Sequence, residues 1–107
     1  MSEPAASIRL DKWLWQARFC KSRALAAKLV SGGAVRVNSE RVSKPATPVR
    51  VGDGISFALA GRVRAIRILA LGARRGPATE ARLLYDDLEA KATEAGPGLE
   101  PAREADT

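Results

Sequence analysis

The pair Gly32-Gly33 divides the chain into two regimes of apolar spacing, and that division constrains the fold more than any other feature. Before it, apolar residues fall at 10, 13, 14 and 17 and again at 25, 26, 29 and 30, the spacing of one face of an α-helix. After it the period becomes two, with Val35 and Val37 alternating against Ala34, Arg36 and Asn38. The chain is therefore expected to open with two helices and continue as a small, mostly antiparallel sheet, an α+β fold. The first helix is predicted over about 9–18, with Asp11 in its first turn, where a carboxylate suits the helix dipole. The second is predicted over about 23–31, with Ser22 as N-cap and the two glycines as its stop. Phe19-Cys20-Lys21 leaves room only for a tight turn between them.

The strand region follows from turn chemistry. Asn38-Ser39-Glu40 reads as a hairpin turn, because Asn tolerates positive φ. Lys44 to Pro48 reads as a loop, since two prolines so close cannot enter a central strand. Gly52-Asp53-Gly54 turns the chain into the alternating Ile55, Phe57 and Leu59, and Ala60-Gly61 leads to a last strand over about 63–71. That strand separates its faces poorly, so a bulge and burial on both sides stand as alternatives. A loop over 72–76 then carries Arg74-Arg75. Pro77 suits the start of a helix over about 77–90, with Ala81, Leu84, Tyr85 and Leu88 on one face. Residues 1–7 are expected to be a frayed end. Residues 91–107, rich in Ala, Glu, Gly and Pro, are expected to be a disordered acidic tail. The organisation is thus a domain over 8–71, with the loop and C-terminal helix of 72–90 packed on it.

Charge then narrows the function. Between Ile8 and Tyr85 there are sixteen Lys and Arg against four acids, whereas residues 86–107 hold seven acids against two bases. Holding so many cations together costs self-repulsion that a polyanion relieves, so nucleic acid is the leading partner class. With one cysteine and no histidine, a Cys/His zinc site, a Cys–His pair and a Ser-His-Asp triad are excluded by counting. No catalytic residue, cofactor or metal is expected. No apolar run approaches the length of a membrane span, and Met1-Ser2-Glu3-Pro4 lacks the basic start of a signal peptide, so a cytoplasmic, membrane-free protein is expected.

The stretch from Arg9 to Pro45 resembles a known family. Arg9-Leu10-Asp11-Lys12-Trp13-Leu14, Lys21-Ser22-Arg23-Ala24-Leu25-Ala26, the run Leu29-Val30 through Gly32-Gly33 to Val35, Val37 and Asn38, and Lys44-Pro45 resemble the αL-motif RNA-binding domain of the fourth small-subunit ribosomal protein. Trp13-Leu14-Trp15, Ala17-Arg18-Phe19 and the segment Arg74 to Tyr85 are similar to the bacterial fifteen-kilodalton heat-shock proteins, which extends the resemblance over about 8–88. The resemblance implies a domain that grips structured ribosomal RNA. For the heat-shock branch it implies action on a large ribosomal subunit carrying peptidyl-tRNA, without catalysis. Ser39 departs from the family's usual Gly after Asn38, and the acidic tail departs from an expected basic extension.

The candidate RNA-binding residues are Arg9, Lys12 and Arg18 of the first helix, Lys21, Ser22, Arg23 and Lys28 of the second, and Arg36, Arg41 and Lys44 around the hairpin. A-form RNA is read by shape, with cations set against phosphates and ribose hydroxyls, which suits this composition. Ser22 is read as a cap, a phosphate contact, or both. Asp11 is read as an acid that orients an arginine, Arg23 foremost. Trp13 lies on the apolar stripe and reads as core, Trp15 lies off it and reads equally as packing or as a base platform, and Cys20 reads as a small apolar residue. A monomer with no small-molecule substrate is expected. The runner-up readings are a general RNA- or DNA-binding protein and a ribosome-assembly factor. An RNA-modifying enzyme lacks its catalytic domain here, and 5% aromatic content argues against a polypeptide-holding chaperone.

Overall fold

The computed structural model describes residues 6–59 and 61–88. The expected acidic tail lies outside the described residues, as do residues 1–5 and 89–90. In chain order the elements are β1 (Ile8–Arg9), α1 (Leu10–Gln16), α2 (Arg23–Ser31), β2 (Val35–Val37), β3 (Glu40–Val42), β4 (Pro48–Val49), β5 (Gly54–Leu59), β6 (Arg62–Ile68), α3 (Ala78–Ala81), a 3₁₀ turn (Arg82–Leu84) and β7 (Tyr85–Asp87). This is an α+β fold. Five strands form an antiparallel sheet in the order β3-β2-β5-β6-β7, and β1 pairs separately with β4.

Local sequence explains both helix ends. The Ser22 side chain accepts a hydrogen bond from the Leu25 N–H at 3.1 Å, so α2 starts on a true N-cap. At its far end Gly33, with φ of 80°, lets its N–H reach Val30 O and the Ala34 N–H reach Leu29 O, a Schellman closure. The first helix closes in the same way, but with Arg18 at φ 65° in the left-handed position. The Arg18 N–H donates to Trp15 O and the Phe19 N–H to Leu14 O. At its start α1 has no side-chain cap. Its first two N–H groups, from Leu10 and Asp11, donate to Thr47 O and Pro45 O of the proline loop instead. Pro48 sits in the β1–β4 ladder away from the main sheet, a place where its missing N–H is tolerated.

The period-two alternation decides what the sheet covers. Val35, Ile55, Phe57, Ile66 and Ile68 point to one face, where they meet Leu10, Trp13, Leu14 and Ala17 of the first helix and Ala26 and Val30 of the second. Trp13 is fully buried and its indole N–H donates to Ala70 O at 3.0 Å, as its place on the stripe predicts. Cys20 is buried and free. The Asn38-Ser39 turn keeps positive φ at both residues, 51° and 75°, so Ser39 adopts the two-residue hairpin geometry that Gly would favour. The Asn38 carboxamide ties this turn to the next one, donating to Asp53 and accepting from the Gly54 N–H.

Three expectations are corrected. The first helix ends at Gln16, and Arg9 belongs to β1. The last long strand covers Arg62–Ile68 in unbroken register with β5, and only its Ile66/Ile68 side is buried while Val63 is exposed, so it is not buried on both sides; just beyond it the N–H groups of Leu69 and Ala70 both donate to Leu84 O, the hydrogen-bond pattern of a bulge. Between Pro77 and Tyr85 the predicted C-terminal helix forms only over Ala78–Ala81, followed by the 3₁₀ turn. Tyr85–Asp87 instead pairs with β6, which brings Tyr85 against Phe19 at a ring separation of 4.7 Å and Asp87 to Arg64 at 2.8 Å.

Candidate nucleic-acid interface

The residues at the start of α1 and α2 are organised around one buried acid. Asp11 is 4% exposed, and Arg9 grips it with two hydrogen bonds of 3.0 Å, one to each carboxylate oxygen. Arg23, from the first turn of α2, approaches the same carboxylate at 3.6 Å. Burial pushes the Asp11 carboxyl up. The hydrogen bond and charge of Arg9, the Lys12 backbone N–H and the charge of Arg23 outweigh that effect and hold it below the ordinary carboxylate range. One anion thus sets two guanidinium groups side by side, each about half open to water. Those groups retain N–H donors that Asp11 does not use, in a geometry suited to phosphate.

Around this centre the exposed cations are distributed over two sides of the domain. Lys21, Arg23 and Lys28 are exposed along the turn and the outer side of α2, beside the Ser22 cap, and Lys12 is half-buried on α1. Lys44 is exposed in the loop whose Pro45 carbonyl accepts from Asp11, so that loop lies against the Arg9/Asp11/Arg23 group. Lys21 and Lys28 also border an apolar groove of about 530 Å³ whose other walls include Phe19, Leu25 and Leu59. Leu25 is half-exposed there, so the α2 stripe of 25, 26, 29 and 30 is only partly core.

The other candidates are placed elsewhere. Arg36 and Arg41 are directly opposite each other across β2 and β3, while Val35 and Val42 of the neighbouring register face the helices. By strand alternation the two arginines occupy the face turned away from α1 and α2, so they extend the cationic surface around the sheet and do not adjoin the helical group. Arg18 is turned toward the 72–77 loop, where its Nε–H donates to Gly76 O at 2.6 Å.

The structure also reveals arginines that local reasoning did not single out. Arg75 donates from Nε to Trp15 O at 3.0 Å, and its guanidinium carbon lies 5.7 Å from the Trp15 ring centroid. Arg64 sits 5.3 Å over the Phe19 ring. Local sequence signals neither contact, although Arg75 lies in the Arg74–Tyr85 segment that carries the family resemblance. Gln16 is likewise buried and donates to Leu71 O at 2.9 Å. Trp13, Gln16, Arg18 and Arg75 together stitch α1 to the irregular segment 70–76, whose carbonyls otherwise lack ladder partners.

The chain is similar to known proteins over most of its length. The S4 domain family matches residues 8–55, the span of both helices and the first hairpin. Heat shock protein 15 of Escherichia coli strain K12 is 42% identical over 85 residues, covering 79% of this chain and 63% of that protein. Its homologue from Aeromonas salmonicida is 42% identical over 89 residues, covering 83% of this chain and 67% of the homologue. The small ribosomal subunit protein uS4 of Acidithiobacillus ferrooxidans is 39% identical over 87 residues but is covered over only 41% of its length. Among solved structures, a trimeric heat shock protein 15 from Vibrio cholerae superposes with a TM-score of 0.75 at 38% identity, over 83% of this chain and 89% of that one. The chain thus spans somewhat under two thirds of the Escherichia coli relative it matches.

Proposed function

Because the chain belongs to the heat shock protein 15 family and matches the S4 domain over residues 8–55, we propose that it is a ribosome-associated RNA-binding factor that acts by recognition, without catalysis. Its target in this reading is structured ribosomal RNA on the large subunit carrying peptidyl-tRNA, in the cytoplasm. The observation that carries the reading is the Arg9–Asp11–Arg23 group, in which a buried carboxylate holds two half-exposed guanidinium groups beside Lys21, Lys28 and the capped start of α2. Among the described residues these cations have no other acid to neutralise, and preset guanidinium forks match the spacing of phosphate oxygens. Arg9, Lys12, Lys21, Ser22, Arg23, Lys28 and Lys44 are assigned to the primary contact, and Arg18, Arg36 and Arg41 to its margins.

The test is sedimentation of the tagged chain through sucrose gradients with separated ribosomal subunits, with and without peptidyl-tRNA on the large one. Co-migration with the large subunit, strongest when peptidyl-tRNA is present, is the expected result. Protein that stays at the top of every gradient overturns the reading. Equal binding to both subunits and to duplex DNA favours the general nucleic-acid binder. The free chain is taken as a monomer, whereas the Vibrio cholerae relative is trimeric in its structure; analytical ultracentrifugation distinguishes 11.4 kDa from its multiples.

A further inference from the structure

The two tryptophans of α1 have opposite fates. Trp13 is fully buried with its N–H bonded, while Trp15 lies off the apolar stripe and remains partly exposed. What covers Trp15 is a cation from the 72–77 loop: the Arg75 guanidinium lies over its ring and is tethered by Nε to the carbonyl of that same tryptophan. This carbonyl is at the end of α1, where the helix dipole favours positive charge. Three residues earlier on the helix stands Lys12, a neighbour of Trp15 by helical spacing and of Asp11 in sequence. Beyond the helix end Arg18, held at φ 65°, reaches the same loop through Gly76 O. Arg18 and Arg75 each use Nε on a neutral carbonyl, and neither joins an ion pair among the described residues. Each has four further N–H donors on its Nη atoms. Arg74, by contrast, is paired with Glu80.

A flat guanidinium backed by an indole and flanked by cations suits an unpaired nucleobase, which stacks on aromatic rings and on arginine planes alike. We infer that Arg75, supported from beneath by Trp15, is a stacking plate for one unpaired nucleobase, with Arg18 and Lys12 contacting the phosphates on either side. The exposed side of α1 then carries single-stranded RNA away from the Arg9/Asp11/Arg23 group. The inference rests on the RNA reading above and adds to it a second site with a different RNA preference.

The experiment compares an RNA hairpin with the same hairpin bearing a single-stranded oligoadenylate extension, using the full chain. The extension is expected to tighten binding at least about five-fold. It is also expected to quench tryptophan emission, which reports Trp15 because Trp13 is sealed in the core. Arg75→Lys keeps the charge and loses the plane, and is expected to abolish the gain from the extension while leaving hairpin affinity unchanged. An arginine that merely staples the loop to α1 would lower the melting temperature in that variant without separating the two RNAs. No gain from the extension in the parent protein, or a gain that survives Arg75→Lys, overturns the inference and leaves the primary site standing. Failure of the plain hairpin to bind overturns the RNA reading and this inference with it.

Discussion

Replacing Asp11 by Asn removes one negative charge from beneath two guanidinium groups and alters little else, because the side chains are nearly isosteric. The carboxylate is 4% exposed and accepts two hydrogen bonds of 3.0 Å from Arg9 and the 3.6 Å approach of Arg23. Asn keeps one acceptor oxygen but aims an NH₂ group at a guanidinium. Hydrogen bonds to a charged group contribute about 1.5–3 kcal/mol, and breaking a fully buried ion pair costs about 3–5 kcal/mol. Here the charges left behind are about half exposed, so water recovers much of the larger penalty. The substitution should therefore cost about 2 kcal/mol, which for a domain of this size lowers Tm by roughly 8–16 °C.

The pH dependence follows from the lowered carboxyl. A depressed carboxylate contributes its full stabilisation above its unfolded value, near 3.9, and loses it as the pH falls through the folded value. The gap between parent and Asp11→Asn should be constant near neutral pH and close progressively below about pH 4. Urea melts followed by circular dichroism at neutral and acid pH measure both quantities. Equal stability at pH 7, or a gap that widens in acid, would refute the assignment of Asp11 as the anchor of the arginine pair.

Two further outcomes follow from backbone and burial. Ser39 holds φ at 75°, so Ser39→Gly should relieve left-handed strain of about 1 kcal/mol, partly offset by the entropy of the unfolded chain, and raise stability by about 0.5 kcal/mol in thermal melts. Burial pushes the Cys20 thiol up, so a thiol reagent at neutral pH should modify it only slowly in the folded protein and rapidly in denaturant; fast labelling of the native chain would contradict its placement.

The parts legible in the sequence were those set by local rules. Ser22 before a run of helix formers and Gly32-Gly33 after it delimit α2 because a side-chain cap and a left-handed residue are each decided within one turn. The position of Trp13 on the apolar stripe was enough to place it in the core. The pairing of Arg23 with Asp11 was legible as chemistry, since a lone acid among cations needs a partner, whereas the dominant grip of Arg9 depends on the chain being extended before Leu10. The helical spacing of Tyr85 with Ala81 and Leu88 is overridden by long-range packing on Trp13 and Phe19 and by pairing with Ile68. Arg36 and Arg41 obey strand parity: with Val35 and Val42 facing the helices, the arginines next to them face away. Arg75 meets Trp15 across 60 residues, through a loop without periodicity, and no local signal foreshadows that contact.

The central claim is that the cations around α1 and α2 bind RNA by engaging phosphates, and its most direct measurement is the salt dependence of binding to a structured ribosomal RNA fragment. With about five phosphates engaged, log K should fall against log salt with a slope of roughly −3.5 to −4.5. The double variant Lys21→Ala/Lys28→Ala should be shallower by about 1.4 to 1.8 while melting at nearly the parent temperature, because both lysines are exposed. Affinity that is flat with salt, or a slope unchanged by removing both lysines, would contradict the account.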